Sequence, residues 1–355
     1  MISIITANNP EKWDHIVRSF KQYDVNYLFD YAMAFRINGD GEPILIYYED
    51  DNTRAINVVM KRDIALSGFF KDKLPTNTWY DLSTPYGYGG FWIEGENYEA
   101  VNNAYNTFCM EQGFVSEFVR FHLFSNYQQQ FDSFTETITH NIVRNLEPSI
   151  DDIFMDFEHK VRKNIKRANS YGLEAEIDYS GKRLDDFLRI YYGTMNRSEA
   201  KMNFYFTKEF FEQLGRMKDN LVYIHVLYNG KVISTELVLY GTENCYSFLG
   251  GTNHDYFHMR PNDFLKYEII KWAKGKGLKR FILGGGYGDD DGIFRYKKSF
   301  APNGVCDFYI GKKIFDRNKY YELLHMRFDD HSTANDRTAL NDLKGFFPKY
   351  RDGSL

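Results

Sequence analysis

One order of secondary-structure signals occurs twice in this chain, and this repetition constrains the fold most strongly. Residues 43–48 and 54–62 are apolar runs around a polar turn, which predicts a hairpin; a third strand, a Gly-rich segment, a helix and a further strand follow. The same order begins again at a second hairpin over residues 221–240, whose turn is Asn229-Gly230. Because the repeat is far longer than the roughly 20–50 residues of solenoid repeats, it predicts two similarly folded α/β domains in tandem.

Composition and charge limit the class of protein. Apolar residues make up 43% and charged residues 26% of the 355 residues, which is typical of a globular chain with more than one domain. The formal net charge is −5, so the chain is not a basic nucleic-acid coat, and a phosphate contact needs a local patch. Cys109, Cys245 and Cys306 fit no disulfide framework or zinc spacing, and no apolar run approaches the roughly 18 residues of a membrane span. The sequence predicts a cytoplasmic protein without a transmembrane segment.

Several well-known site motifs are absent from the sequence or incomplete. The chain has neither the phosphate loop G-x-x-x-x-G-K-S/T nor the nucleophile motif G-x-S-x-G, and Gly284–Gly286 lacks the third glycine of a dinucleotide fold. Tyr287 and Lys298 would be the first and twelfth ligands of a calcium loop, so that interpretation fails. No Glu follows His254, which makes His254 and His258 polar loop residues rather than zinc ligands. No metal site is predicted.

Residues 149–170, between the two blocks, predict a helix with one apolar and one basic face. Apolar residues recur at steps of three or four, and Ser149 can cap the start together with Asp152. The basic face is either a solvated surface or a surface that binds a phosphate-rich partner such as tRNA. The apolar positions are Phe154, Phe157, Val161, Ile165 and Ala168, and the basic positions are Lys160, Arg162, Lys163, Lys166 and Arg167.

Two Gly-rich segments, Pro85–Gly90 and Gly284–Gly286, follow predicted strands at positions where a cleft can open. Glycine there serves either a bulge or tight turn, or the close approach of a ligand to the backbone. Lys297 lies in the segment 293–300, beyond the second glycine triplet. It is either a cleft-edge cation, held by neighbouring rings, that stabilises an oxyanion or binds a phosphate, or a surface lysine on an amphipathic strand.

Short motifs occur in a particular order along nearly the whole chain. They are Thr84-Pro85-Tyr86-Gly87-Tyr88-Gly89-Gly90, Phe118–His122 with Asn126, Arg162-x-Asn164-Ile165-x-Arg167-Ala168 with Gly172, Met195-x-Arg197, Phe210-Phe211, Tyr246–Gly250, Pro261-Asn262, Leu283-Gly284-Gly285, and Tyr296-Lys297 with Phe300. In this order they resemble the Fem-type peptidoglycan-bridge transferases and related acyltransferases of the GNAT fold. The resemblance implies an α/β (α+β) architecture of two tandem GNAT-like domains, with mixed central sheets flanked by helices. The first domain would span residues 1–148, completed by 316–355, and the catalytic second domain 149–315.

The resemblance also implies which residues form the site. Lys297 matches the lysine at the active site, and Tyr246 is a second catalytic candidate that orients or protonates. Arg197 matches a position that holds an anionic acceptor group, and the general base stays open between Glu236 and Asp255. Further substrate-binding candidates are Tyr205, Tyr86, Tyr88, Asn262, Gly250 and Gly251, and the phosphate- or tRNA-binding candidates are Lys160, Lys163, Lys166 and Arg167.

The implied function is an N-acyltransferase that transfers an acyl or aminoacyl group to an amine of a cell-envelope acceptor. This acceptor is a peptidoglycan precursor or a polysaccharide, either lipid-linked, nucleotide-linked or a small molecule, and peripheral membrane contact is compatible with it. No cofactor is expected to be tightly bound. The co-substrate stays open between acyl-CoA and aminoacyl-tRNA: Arg260-Pro261-Asn262-Asp263 replaces the usual acetyl-CoA loop, but no coiled-coil insertion of some tRNA-dependent members follows Arg167.

Two alternatives stay open beside this interpretation. One is an acetyl-CoA-dependent N-acetyltransferase of another small-molecule or sugar amine. The other is a non-catalytic module that binds phosphate or nucleic acid through the basic helix. The aromatic share of 18% adds the expectation that tyrosines at strand ends line clefts, since a tyrosine hydroxyl needs a partner or water. The tyrosines concerned are Tyr86, Tyr88, Tyr205, Tyr246, Tyr256, Tyr287 and Tyr296.

Overall fold

The computed structural model describes residues 1–286, 288, 291–328 and 343–353. Strands and helices are interspersed along the chain. The first are β1 (Ile2–Thr6), α1 (Pro10–Ser19), α2 (Phe29–Ile37), β2 (Glu42–Glu49), β3 (Arg54–Asp63), β4 (Tyr80–Ser83), β5 (Trp92–Glu94), α3 (Tyr98–Glu111), β6 (Phe114–Arg120) and β7 (Phe134–Asn145). They continue with α4 (Ile150–Asp156), α5 (His159–Ser170), β8 (Glu174–Asp178), α6 (Leu184–Arg197), α7 (Lys208–Leu214), β9 (Leu221–Tyr228), β10 (Lys231–Tyr240), β11 (Asn244–Thr252), α8 (Pro261–Gly275), β12 (Arg280–Gly284), α9 (Gly292–Lys298), β13 (Val305–Ile314) and α10 (Arg317–Phe328).

The contacts within the chain divide it into two compact units. Unit 1 consists of residues 1–21, 26–138 and 308–355, and unit 2 consists of residues 22–25 and 139–307. The chain passes from unit 1 to unit 2 within β7 and returns within β13. The domain boundaries predicted from the sequence, after residues 148 and 315, stay predictions.

Each unit contains the strand order that the sequence repeats. In unit 1 the strands are ordered β1-β2-β3-β4-β6-β13, with β5 paired to β3; in unit 2 the order is β7-β12-β11-β10-β9-β8. A hairpin and a third strand are antiparallel in both, and the next strand then pairs in parallel: β4 with β6, and β11 with β12. A parallel pair needs a crossover connection, which α3 and α8 supply. The predicted fold class, mixed sheets flanked by helices, is confirmed.

The turn of the second hairpin forms as its sequence predicts. Asn229 and Gly230 both have positive φ, 50° and 75°, which a type I′ turn requires. Tyr228 and Lys231 are paired directly across it. The turn therefore sets the register of β9 and β10, which form the middle of the unit 2 sheet together with β11.

The prediction of one continuous helix over residues 149–170 is wrong, because the structure has two helices there. Ser149 caps α4 as predicted, accepting a hydrogen bond from the backbone N–H of Asp152 at 3.1 Å. Phe157 and Glu158 are extended, and Arg162 donates hydrogen bonds to the carbonyl groups of Met155 and Phe157. These bonds satisfy carbonyl groups at the end of α4, so the chain can begin α5 in a new direction.

The alternative of an amphipathic strand over residues 293–300 is also wrong, since residues 292–298 form α9. The side chain of Asp291 accepts a hydrogen bond from the N–H of Phe294 at 2.7 Å and caps this helix. Phe294 and Phe300 are buried in the unit 2 core. The apolar pattern of this segment therefore belongs to a short helix. The side chain of Asp291 stabilises the start of this helix, because it accepts a hydrogen bond from a backbone N–H of the first turn.

In unit 1, the buried carboxylate of Asp81 holds the C-terminal segment. Its oxygens accept from Arg62 Nε at 2.6 Å, from Arg351 Nε at 2.5 Å and from the hydroxyl of Tyr350 at 3.2 Å. Burial alone would raise the pKa of Asp81, but the charges of Arg62 and Arg351 hold it below its ordinary value. The segment 343–353 is thus attached to β4 through a partnered buried charge.

We expect Arg351→Met to lower the free energy of unfolding of unit 1 by about 3 kcal/mol, because it leaves a buried carboxylate with one arginine instead of two. Urea denaturation at pH 7 measures the loss. Since the depressed pKa of Asp81 stabilises the fold at neutral pH, the difference from wild type should shrink as the pH falls below about 4. Lys344→Met, at an exposed position of the same segment, is the control; an equal loss in both variants would contradict the prediction.

Candidate active site

The parallel strands β11 and β12 of unit 2 stay paired over only three residue pairs. Pairing runs from Asn244 with Arg280 to Tyr246 with Ile282, although β11 continues to Thr252. Both strands are irregular just beyond this point, with register shifts against β10 and against β7. Backbone and side-chain polar groups near the end of β12 must therefore find partners outside the ladder.

Lys297, on α9, lies at the end of β12. Its ammonium donates a hydrogen bond to the carbonyl oxygen of Gly285 at 2.6 Å, and among the described residues this is its hydrogen-bond partner. Burial, and next the positive charge of Lys266, lower the pKa of Lys297 to about 8, against the opposing effect of Glu236 and Asp291. Lys297 is therefore a desolvated cation without a carboxylate partner in the described part of the chain.

Lys266 and Glu236 form a buried ion pair in the same unit, and each side chain belongs to a residue only 5% exposed. The Lys266 ammonium also donates to the hydroxyl of Ser247 at 2.6 Å. The second oxygen of Glu236 is buried and has no hydrogen-bond partner among the described residues. One candidate base from the sequence is therefore tied to a lysine; the other, Asp255, is exposed in a 3-10 turn.

Tyr246 is buried on β11, and its hydroxyl donates to Asp24 at 2.5 Å. The same carboxylate oxygen accepts from the side chain of Asn244 at 2.7 Å. These contacts hold residues 22–25 against the unit 2 sheet, which is a structural role. A catalytic role of Tyr246 stays a prediction.

Gly250 and Gly251 are glycines because of contacts within unit 2. A Cβ atom on Gly250 would lie 2.4 Å from the carbonyl oxygen of Thr235, and one on Gly251 would lie 2.2 Å from the hydroxyl of Thr194 on α6. Neighbouring elements therefore approach the β11 backbone as closely as a ligand would. Substrate binding by these two glycines stays a prediction.

Arg197, at the end of α6, borders a second concave region. It donates to the carbonyl oxygen of Thr252 at 3.3 Å, its guanidinium stacks 5.0 Å from the ring of Phe257, and it has no carboxylate partner in the described chain. It lines a cavity of about 300 Å³ together with Arg189 and His254. Among the other acceptor candidates, the Tyr205 hydroxyl donates to Asn196 at 3.0 Å, and Asn262 lies in the first turn of α8.

A larger cavity of about 700 Å³ lies where α5, α8 and α9 meet, and sequence reasoning identified only part of its lining. Asn164 donates to Asp263 at 3.1 Å across it, and burial raises the pKa of Asp263. The hydroxyl oxygen of Tyr296 is buried and has no partner among the described residues. The lining includes Lys160 and Asn164 of α5, Arg260 and Asp263 at the start of α8, and Arg295 and Tyr296 of α9.

The basic face of α5 is solvent-exposed, as its pattern predicts, while its apolar face is buried against the core. Arg162 differs from the other cations because it is bound to the end of α4. No sequence pattern predicted that Arg260, Arg295 and Lys298 line one cavity, because these residues come together only through packing. The exposed cations are Lys160, Lys163, Lys166 and Arg167.

Tyr86 and Tyr88 belong to unit 1. Tyr86 is 44% exposed, and the ring of Tyr88 lies 5.5 Å from that of Phe308. Tyr287 lies outside the described residues, as do Asp289 and Asp290. No group of three or more His, Cys, Asp or Glu side chains in the described ranges is placed to hold a metal ion.

We expect Lys297 to lose its positive charge as the pH rises through about 8, because its folded pKa lies below the ordinary value of 10.5. Competitive labelling with acetic anhydride over pH 6–11, read by peptide mass spectrometry, measures this pKa directly. A short lysine-containing peptide added to each sample is the internal control, since an unperturbed lysine titrates at about 10.4. Coincident titration of Lys297 and the peptide lysine would contradict the desolvation of Lys297.

Known proteins with sequence or structural similarity point to one group. Residues 156–298 match the family model described as an acetyltransferase (GNAT) domain. Over 86 residues the chain is 28% identical to lipid II:glycine glycyltransferase of Staphylococcus haemolyticus (strain JCSC1435). The aligned segment covers 24% of this chain and only 20% of that relative. The chain thus aligns with about a fifth of the length of this curated relative.

Two solved structures extend the comparison to most of the chain. The crystal structure of FemX matches with a TM-score of 0.66 at 14% identity, covering 92% of this chain and 100% of that chain. L-PGS from Bacillus licheniformis matches with a TM-score of 0.53 at 12% identity, covering 85% and 90%. The resemblance to Fem-type transferases is therefore confirmed at the level of the fold: the chain has a GNAT fold like that of FemX, and residues 156–298 match the acetyltransferase (GNAT) domain model.

Proposed function

We propose that this protein is a Fem-type N-acyltransferase, which transfers an acyl or aminoacyl group to an amine of a cell-envelope precursor. The observation that carries the proposal is the partly buried ammonium of Lys297 at the end of β12, within the residues that match the GNAT model. The name of the Staphylococcus haemolyticus relative, lipid II:glycine glycyltransferase, supports a lipid-linked precursor as acceptor.

In the proposed reaction, the acceptor amine attacks the acyl carbon and a C–N bond forms. The bond to the leaving oxygen or sulfur breaks, and the proton that the amine loses ends on the leaving group. Negative charge develops on the carbonyl oxygen, and the ammonium of Lys297 stabilises it from a site where burial strengthens electrostatic interactions. Arg197 holds an anionic group of the acceptor. We assign Tyr246 to orientation rather than proton transfer, since Asp24 already accepts its hydroxyl hydrogen.

The cavity at the start of α8 is our candidate for the phosphate-bearing part of the donor. Lys160, Arg260, Arg295 and Lys298 line it, against the acidic Glu158 and Asp263. Lys160 also begins the exposed basic face that continues along α5. A row of cations that extends past the cavity suits a polynucleotide better than a single diphosphate, which favours aminoacyl-tRNA over acyl-CoA.

No helix in residues 1–286, 291–328 or 343–353 has both the length and the apolar character needed to cross a bilayer. We propose that the protein acts in the cytoplasm, where both donor classes occur, and reaches a lipid-linked acceptor through peripheral contact. The Tyr205, Asn262, Gly250 and Gly251 positions then form the acceptor cleft of unit 2. Tyr86 and Tyr88 of unit 1 stay separate substrate-binding candidates of that unit.

We expect Lys297→Met to lower kcat at least about 100-fold, since loss of one oxyanion-stabilising group has an effect of this size. Incubation with aminoacyl-tRNA or acyl-CoA and cell-wall precursors, followed by mass spectrometry of the products, measures transfer. Lys218→Met, at an exposed position of unit 2, is the matched control and should retain activity. Full activity of the Lys297→Met variant, measured beside the folded wild-type protein, would contradict the assignment of Lys297 to the active site.

The donor assignment is tested by reversing Lys163, Lys166 and Arg167 to Glu. We expect KM for aminoacyl-tRNA to rise about tenfold or more, and its salt dependence to weaken by roughly 0.7–0.9 in log–log slope for each lost phosphate contact. Transfer from acyl-CoA, if detectable, should be unchanged. The control reverses the exposed Lys201, Lys218 and Lys276 instead. Loss of nucleic-acid binding in a protein that never transfers an acyl group would support the non-catalytic alternative.

A further inference from the structure

Two lysines of unit 2, the buried Lys266 and the partly buried Lys297, are electrostatically coupled to one carboxylate, and the carboxylate pairs with only one of them. Glu236 of β10 pairs with Lys266 of α8, whereas Lys297 of α9 donates to the carbonyl oxygen of Gly285. Glu236 and Lys266 both act electrostatically on Lys297, so the three charges share one low-dielectric region. The lysine expected at the reaction centre is thus the one without the carboxylate.

Packing alone does not explain a charged residue at position 266. The residue is 5% exposed on the buried face of α8, close in sequence to the core residues Phe264, Leu265, Ile269 and Ile270. Desolvating a buried ion pair costs about as much as the pair returns, and an apolar side chain of similar volume is often as stable or more stable there. The ion pair is therefore better explained by an effect on a neighbouring group than by stability.

The hydrogen bonds of Lys266 show how it controls the carboxylate. Its ammonium bridges Glu236 and the hydroxyl of Ser247, which lies on β11 one residue beyond the last pair with β12. The bridge fixes one oxygen of Glu236, and the other oxygen is buried without a partner in the described chain. Without Lys266, Glu236 would have Lys297 as the remaining lysine that acts on it in this region.

We propose that Lys266 is a positioning residue: it holds Glu236 on the β10–β11 side and so keeps the ammonium of Lys297 free of a carboxylate and available to the reacting carbonyl group. The role in catalysis rests on the proposed function, whereas the electrostatic control of Lys297 does not. In this arrangement the charge of Lys266 neutralises the carboxylate of Glu236, so that the ammonium of Lys297 does not pair with it.

Removing the charge of Lys266 has a predictable direction. Of the described charged groups around Lys297, Lys266 of α8 lowers its pKa, while Glu236 of β10 and Asp291 at the start of α9 raise it. In Lys266→Met the lowering charge disappears and Glu236 becomes free to pair with Lys297. Both changes act in the same direction, so the Lys297 ammonium keeps its proton to higher pH.

The experiment measures the pKa of Lys297 by competitive acetic anhydride labelling in the full chain. We expect Lys266→Met and Lys266→Gln to raise it by about one unit or more, and Lys266→Arg to leave it near the wild-type value. The double variant Lys266→Met/Glu236→Gln, which removes both opposing charges, should return towards wild type. Lys271→Met on the same helix, whose lysine pairs with Glu268 near the surface, is the matched control.

The outcomes separate the two proposals. An unchanged Lys297 titration in folded Lys266→Met or Lys266→Gln would overturn the positioning role and leave Lys266 as a structural residue. If neither variant folds, the double variant is measured instead. A pKa of Lys297 in the folded double variant that differs by more than about one pH unit from its pKa in Lys266→Arg would also overturn the positioning role. With transfer activity present, the alkaline limb of the pH–kcat profile should move up with the labelled pKa, while KM for the acceptor stays constant. A labelling shift in a protein without transfer activity supports the positioning role and contradicts the proposed function.

Discussion

The short parallel pairing of β11 and β12 is the constraint on which the interior of unit 2 depends. After three residue pairs the ladder between these strands ends, and polar groups at that point must find partners on helices. Lys266 of α8 bonds to Ser247 just beyond the last pair, and Lys297 of α9 bonds to Gly285 just beyond the end of β12. Both lysines therefore bond to groups just beyond the interrupted strand pairing.

The two units show opposite uses of a buried charge. In unit 1, Asp81 is in contact with two arginines and a tyrosine hydroxyl, so its charge is well compensated and holds the C-terminal segment. In unit 2, Lys297 has one backbone carbonyl as its described partner, so its charge is poorly compensated. A poorly compensated buried cation is costly in the folded state but can interact strongly with negative charge that develops on a substrate.

Helix α5 connects the core of unit 2 to the surface that we propose for the donor. Val161, Ile165 and Ala168 are buried, while the cations on the other face are exposed, so the helical period separates packing from binding. Asn164 lies between the two faces and donates to Asp263 of α8. This bond connects the basic helix to the wall of the large cavity, so both parts of the candidate donor surface are in contact.

Much of the fold could be predicted because its signals are local. The Asn229-Gly230 turn, the alternation of β9 and β10, and the Pro261 start of α8 act within a few residues. The two elements that were predicted wrongly depend on particular side-chain contacts. Helix α9 depends on the cap by Asp291, and the break before α5 depends on the hydrogen bonds of Arg162 to the end of α4. Such side-chain contacts outweigh a periodic pattern of only a few residues, and the pattern alone does not reveal them.

The sequence by itself determined the repeated strand order and the basic face of α5, since each follows from spacing or from the order of signals. Lys297 as a site residue is what the family resemblance implies, and it stays a prediction. Only the tertiary structure decided how these residues are charged and bound. Tyr246 became a partner of Asp24, and Gly251 became a contact of Thr194, because distant elements pack against β11. Likewise, Lys297 bonds to a carbonyl group rather than a carboxylate because packing places Glu236 against Lys266, and no local pattern specifies which of two lysines a distant carboxylate will reach.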